Sequence, residues 1–124
     1  MEFIEAPAFT RYLPSYLNDD DYQALQAELA ENPEAGDLMP STAGFRKMRW
    51  ADVRRGKGRR GGVRIIYYHF RSDDQIWLMG VYDKDEAADL TAKEKKALKA
   101  AIDGELKARA GRQVVRPSRS RRIW

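Results

Sequence analysis

The sequence contains no cysteine and only one histidine, His69. The lack of cysteine excludes disulfide frameworks, thiol nucleophiles and cysteine-based metal sites. A single histidine excludes an intrachain histidine pair, and we expect neither a metal nor a cofactor. No apolar run approaches the roughly 20 residues that a membrane helix needs. The first five residues carry two acids, where a secretory signal carries bases. We therefore expect a cytoplasmic protein that does not bind membranes.

The chain has the size and composition of one globular domain. Its 124 residues are 43% hydrophobic and 34% charged, which is enough apolar mass for a modest core. Residues 109–124 contain six arginines and show no helical or strand periodicity. We place the domain at residues 1–110 and expect residues 111–124 to be a basic, flexible tail.

Charge is segregated along the chain. Residues 1–45 hold nine acids and one base, whereas residues 46–71 hold ten bases and one acid. Residues 72–106 have nine acids and five bases, and residues 107–124 have seven bases and no acid. Dense basic segments bind polyanions and release their counterions, although they can equally be solvated loops or tails. For residues 46–71 we favour nucleic acid, because the bases lie within predicted strands.

The first half of the chain predicts a short strand and two helices. Residues 3–5 form the strand, and Pro7 opens a helix that Pro14 kinks or shortens. Asn18, followed by three aspartates, predicts the N-terminus of a second helix, which Asn32 and the following proline end.

The second half predicts three strands and a helix. The strands cover residues 45–51, 63–70 and 75–82, and the short turn at 72–74 indicates an antiparallel meander. Thr91 and Glu94 match a capping box that starts the last helix. The expected order is β-α-α-β-β-β-α, an α+β fold with helices beside a small, mainly antiparallel sheet.

Arg64 is an isolated cation in an otherwise apolar strand, on the face opposite to His69. A buried guanidinium needs an anion, which is either a neighbouring carboxylate or a bound phosphate. We favour the phosphate, because a basic glycine-rich loop precedes Arg64. Tyr82 and Lys84 leave the last strand and either face the same cleft, where cations would lower their pKa, or serve only packing and ion pairing. We expect His69 to be structural.

Three segments resemble the HigB-like branch of the RelE/ParE superfamily of bacterial toxin–antitoxin toxins. They are GFRKMRW at 44–50, GKGRRGGVRIIYY at 56–68 and YDKDEAADLT at 82–91. The resemblance covers about residues 1–108 and leaves the tail unexplained. It implies a RelE-like fold and the toxin component of a type II system, which enters the ribosomal A site and cleaves messenger RNA. It also implies a cognate helix-turn-helix antitoxin as a partner.

RNA supplies its own nucleophile, the 2′-hydroxyl, so arginine, lysine and tyrosine are sufficient for a metal-independent endoribonuclease. With the resemblance, Arg64 is predicted to stabilise the phosphate, Lys57 and Arg59 to close over the backbone, and Lys84 or Tyr82 to transfer a proton. The remaining bases are predicted to bind RNA: Arg46, Lys47, Arg49, Arg54, Arg55 and Arg60. Some members of the family carry a further arginine on the last strand, and residues 75–81 have none. Two alternatives stay open, a ParE-type gyrase poison and a non-catalytic RNA-binding module.

Overall fold

The computed structural model describes residues 1–51, 56, 58, 62–83 and 89–115. Three α-helices and five strands lie in these ranges. The helices are α1 (Pro7–Tyr12), α2 (Asp19–Glu31) and α3 (Ala92–Val115), and a 3₁₀ turn (Leu13–Ser15) follows α1. The strands are β1 (Glu2–Glu5), β2 (Asp37–Leu38), β3 (Arg46–Trp50), β4 (Val63–Phe70) and β5 (Gln75–Asp83).

The strands form one mixed sheet in the order β1-β5-β4-β3-β2. Three neighbouring pairs are antiparallel, and β1 runs parallel to β5. The prediction of a small α+β fold with a mainly antiparallel sheet is therefore confirmed. The order of elements differs from the predicted one by the two-residue strand β2, which pairs with Arg46 and Lys47 of β3.

The contacts divide the chain into two compact units. The first comprises Met1–Pro40 and Gly44–Leu90 and contains the whole sheet with α1 and α2. The second comprises Ser41–Ala43 and the chain from Thr91 onward, including α3.

The core of the first unit lies on one face of the sheet. Ile65 and Tyr67 of β4 pack there with Ile76 and Leu78 of β5 and with Phe9 of α1, and all five are fully buried. Leu25 and Leu29 of α2 join the same cluster. The alternation of β4 is thus as predicted, because Val63, Ile65 and Tyr67 all belong to this cluster.

The two N-terminal helices begin and end for the reasons that the sequence indicates. Pro7 occupies the first turn of α1, and the chain tightens into the 3₁₀ turn around Pro14. At α2 the Asn18 side chain accepts a hydrogen bond from the Asp21 backbone N–H at 2.8 Å, and three aspartates fill the first turn.

The capping box of α3 is also present. The Thr91 backbone N–H donates to Glu94 Oε1 at 2.8 Å, and the Glu94 backbone N–H donates to Thr91 Oγ1 at 3.1 Å. The helix continues to Val115, past residue 110 and into the stretch expected to lack structure. An ion pair between Arg109 Nε and Glu105 Oε2 at 2.8 Å supports this last part of α3. The assignment of residues 111–124 to a flexible tail stays a prediction.

None of the helices in the described ranges is long and apolar enough to cross a membrane.

Candidate functional site

Arg49, Arg64 and Tyr82 form one row across three adjacent strands. Arg64 of β4 is directly opposite Arg49 of β3 on one side and Tyr82 of β5 on the other. Directly opposite residues of an antiparallel pair project to the same face, with Cβ atoms about 4.5–5.5 Å apart. The row lies on the face opposite to the α1–α2 core, so three of the predicted site residues come together. We call these three residues the sheet row.

The two arginines of the sheet row place like charges on neighbouring strands. Cations directly opposite each other in a sheet repel, and this repulsion is relieved when an anion binds between them. Arg49 is exposed, whereas Arg64 is only 6% exposed. Arg64 Nη1 lies 3.5 Å from the Val63 carbonyl oxygen, and Arg64 makes further interactions within the protein. Arg49 is therefore the more accessible cation of the pair.

Tyr82 is half-buried, and its hydroxyl oxygen is fully covered by protein atoms. It shares the sheet face with Arg64 because of a β-bulge. From Phe70 to Tyr67 the residues of β4 pair with Gln75 to Leu78, but Ile66 pairs with Gly80, so Met79 is the extra residue of β5. Without this insertion Arg64 would be opposite Val81, and Tyr82 would project to the other face.

Arg46 lies on the other face of the sheet. It is directly opposite Tyr67, a core residue. Its Nη1 donates a hydrogen bond to the Gly36 carbonyl oxygen at 2.8 Å, and its Nη2 lies 3.8 Å from Glu34 Oε1. The guanidinium thus holds the chain around Gly36 against the sheet, which is a structural role, and the predicted RNA contact of Arg46 stays a prediction.

Lys47 projects to the same face as Arg64, one row along the sheet and opposite Ile66. Its Nζ pairs with Asp89 Oδ1 at 3.4 Å. This pair is partly exposed, so a phosphate can compete with the carboxylate at small cost.

Six of the predicted site residues lie outside the described residues. They are the predicted catalytic residues Lys57, Arg59 and Lys84 and the predicted RNA-binding residues Arg54, Arg55 and Arg60. Their roles stay predictions.

His69 lies on the face opposite to the sheet row, as strand alternation predicts. Partial burial lowers the pKa of its imidazole, and the nearby positive charge of Arg71 lowers it further. A neutral histidine on the far face is consistent with a structural role.

Tyr67 and Glu34 organise the chain beside β3, and sequence reasoning did not identify either role. The Tyr67 hydroxyl donates to the Pro33 carbonyl oxygen at 2.8 Å and accepts from the Gly36 backbone N–H at 2.9 Å. Glu34 pairs with Arg71 at 2.7 Å as well as with Arg46. Residues so far apart in sequence carry no local signal of pairing. The one sequence signal for the role of Tyr67 was the presence of a bulky tyrosine among the core positions of β4.

No family model matches the chain. Within the described ranges, histidine, aspartate and glutamate side chains form no group of three or more that could hold a metal ion.

Proposed function

We propose that the chain is the toxin component of a type II toxin–antitoxin system and a metal-independent endoribonuclease acting on messenger RNA in the ribosomal A site. The observation that carries this proposal is the sheet row, in which two cations and a phenol share one face across three strands. The RelE-like assignment rests on the sequence resemblance, and the α+β architecture supports it.

The reaction is an in-line transfer within the RNA. The 2′-oxygen attacks the adjacent phosphorus, the bond from phosphorus to the 5′-oxygen breaks, and the products are a 2′,3′-cyclic phosphate and a 5′-hydroxyl. The 2′-hydroxyl loses a proton to a base, and the departing 5′-oxygen gains one from an acid. Arg64 and Arg49 stabilise the charge that develops on the phosphate oxygens.

Within the sheet row, Tyr82 is the residue that transfers a proton next to this phosphate. Tyr82 is directly opposite Arg64, and burial of its hydroxyl limits proton exchange with solvent. Lys84, only two residues further along the chain, is the second proton-transfer group in the proposal. The proposal also includes a helix-turn-helix antitoxin, which neutralises the toxin by placing acidic residues against the basic segment 46–71.

The burial of Arg64 favours a second candidate function. A guanidinium that is 6% exposed can satisfy its charge within the protein, and the exposed Arg49 would then hold RNA without catalysis. The second candidate is accordingly a non-catalytic, basic RNA-binding module.

Induction of the chain in bacteria separates these functions. Rapid loss of translation together with messages cut within codons supports the nuclease. Slight or no growth inhibition with intact messages supports the binding module. Signalling of DNA damage with intact messages supports a gyrase poison and contradicts both proposals made here.

A further inference from the structure

Gly80 is the one glycine within the five strands of the described residues. It lies in β5 directly after the bulge residue Met79 and is opposite Ile66 of β4. A glycine in a strand lowers stability relative to alanine, because it loses more conformational freedom on folding and has no side chain to pack. Its place in β5 therefore needs a physical reason.

Neither the backbone nor the packing requires glycine at this position. The φ of Gly80 is outside the left-handed region that favours glycine, unlike that of Gly44, which is 116°. The bulge does not require glycine either, because only a bulge with a left-handed residue does.

A Cβ added at Gly80 would lie 3.8 Å from Cβ and Cγ1 of Ile66, which is ordinary van der Waals contact. Apart from its chain neighbours, no other described residue would lie within 4 Å of it. Gly36 differs, because a Cβ there would lie 3.0 Å from a backbone oxygen of β3. An alanine would therefore fit at position 80, and the internal structure does not explain the glycine.

The missing side chain leaves a gap between two aromatic residues. Trp77 and Gly80 are opposite even-numbered residues of β4, which share the face of Arg64. Trp77, Gly80 and Tyr82 therefore follow one another along this face of β5. Both aromatic side chains are half-buried, so part of each is accessible. We call the position over Gly80, between Trp77 and Tyr82, the Gly80 gap.

The Gly80 gap lies where one edge of the sheet opens. Strand β1 pairs with β5 only from Gln75 to Leu78. Beyond Leu78, no strand of the described chain pairs with β5 on that side. Gly80 itself is partly exposed, whereas the neighbouring Ile66 is only 2% exposed. A ligand can therefore approach the gap from the β5 edge, with the backbone of Gly80 as its floor.

We propose that the Gly80 gap binds a nucleobase of the RNA whose phosphate lies at Arg49 and Arg64. The proposal rests on the RNA substrate inferred above. A flat base fits a gap that lacks a side chain and is flanked by aromatic rings, on which bases stack. From Arg49 on β3 to β5 the face spans two strand spacings, about 10 Å, which matches the reach of a nucleotide from its phosphate to the far edge of its base. The charged side of the face thus meets the phosphate, and the uncharged side meets the base.

The test fills the gap without changing the charge. Gly80→Ala and Gly80→Val add a methyl and an isopropyl group to β5, where valine is a better strand former than glycine. Gly104→Ala is the matched control, because it adds a methyl group to α3 at a position with nothing within 4 Å. The probes are labelled hexauridylate, labelled hexaadenylate and a labelled abasic strand of the same length and charge. Circular dichroism and thermal melting establish that each variant of the full chain is folded.

We expect Gly80→Val to bind at least one base-bearing probe about tenfold more weakly than the wild type does, and Gly80→Ala to show a smaller loss. Gly104→Ala should bind all probes as the wild type does. Binding of the abasic strand should not change in any variant, because the phosphate contacts are retained. Unchanged binding of both base-bearing probes by Gly80→Val would overturn the proposal. An equal loss for the abasic strand would overturn it too, since the sheet itself would then be disturbed.

The same variants separate the gap from the proposed nuclease. Cleavage of ribosome-bound message by the wild type, with unchanged probe binding by Gly80→Val, would contradict the gap alone. A base-dependent loss in Gly80→Val, with no cleavage by the wild type, would support the gap and contradict the nuclease.

A second measurement on the wild-type protein covers the case in which Gly80→Val does not fold. Oligouridylate that carries 5-iodouridine crosslinks to nearby aromatic side chains when it is irradiated. Mass spectrometry should place the crosslink on Trp77 or Tyr82. Crosslinks confined to other aromatic residues, or none, would contradict a base in the Gly80 gap.

Discussion

Arg64 and Tyr82 are directly opposite residues of the antiparallel β4–β5 pair, and the extra residue Met79 in β5 brings them to the same face. Bulges re-aim side chains near functional sites more often than elsewhere in sheets. Here the bulge changes which residue faces the cation, because Val81 would otherwise occupy the place of Tyr82. The relationship gives the proposed phosphate-binding group, Arg64, and the proposed proton-transfer group, Tyr82, adjacent positions.

Tyr82→Phe removes only the phenolic hydroxyl. If this hydroxyl transfers a proton, cleavage should slow by about 10²–10⁴-fold while binding of message-bearing ribosomes is retained. Single-turnover cleavage of ribosome-bound message measures the rate. Tyr68→Phe is the matched control, because Tyr68 shares the same sheet face but packs its ring against Phe45 and Phe70. Equal rates for the two variants would remove Tyr82 from the mechanism and leave Lys84.

Arg49 and Arg46 should respond differently to substitution. Arg49→Gln removes an exposed cation of the sheet row, so the salt dependence of RNA binding should fall by about one counterion. Arg46→Gln should leave that dependence unchanged and lower the free energy of unfolding by about 1 kcal/mol, because it breaks the hydrogen bond to Gly36. Titrations with labelled RNA at several salt concentrations and urea unfolding measure the two effects. A reversed pattern would place the RNA on the helix-covered face.

Tyr67→Phe tests the anchor beside β3. The substitution removes the acceptor of the Gly36 N–H and the donor to the Pro33 carbonyl inside a buried site, which should destabilise the fold by about 1–3 kcal/mol. Urea unfolding measures the change. Tyr12→Phe is the control. Because Tyr12 is 50% exposed, removing its hydroxyl should lower the free energy of unfolding by less than about 0.5 kcal/mol. Similar stability for both variants would contradict the anchor.

Tyr22 should make stability depend on alkaline pH. Burial raises the pKa of Tyr22 well above its ordinary value of 10.0, and the hydrogen bond to Glu5 Oε2 at 2.7 Å raises it further. Above that ordinary value the unfolded chain loses the tyrosine proton while the folded chain keeps it. Stability is therefore fully present below about pH 10 and falls by at most about 1.4 kcal/mol for each further pH unit, until Tyr22 ionises in the folded protein.

Unfolding in urea at about pH 9 and about pH 11 measures this loss in the wild type and in Tyr22→Phe. The variant should lose less stability between the two conditions, and Tyr67, whose pKa burial also raises, accounts for part of what remains. An identical loss in both proteins would show that Tyr22 titrates normally in the folded state.

The sequence allowed the elements with strong local signals to be predicted. The bounds of β4 and the Asn18 cap of α2 agree with the structure, because apolar alternation and capping chemistry act over a few residues. The parallel pairing of β1 with β5 and the short strand β2 were not predicted, since these contacts join distant parts of the chain. The continuation of α3 to Val115 was missed, because its charged residues carry no apolar periodicity.

In the candidate site, too, the local features were predicted and the long-range contacts were not. Strand alternation placed Arg64 and His69 on opposite faces, as the structure has them. The alignment of Tyr82 with Arg64 depends on the bulge at Met79, which no local sequence pattern predicts. The pairing of Arg46 with Glu34 depends on how a loop folds back over the sheet. Counting bases along residues 46–71 could not distinguish this structural arginine from the exposed Arg49.

The central claim is that Arg64 stabilises a scissile phosphate in message held by the ribosome. Purified protein, programmed ribosomes and end-labelled message test it most directly, with the wild type compared with Arg64→Ala and Arg64→Lys, each checked for a wild-type melting profile. The account predicts wild-type cleavage within codons that leaves a 2′,3′-cyclic phosphate, a loss of about 10²-fold or more in Arg64→Ala, and partial activity in Arg64→Lys. Full-strength cleavage by a folded Arg64→Ala protein would contradict it.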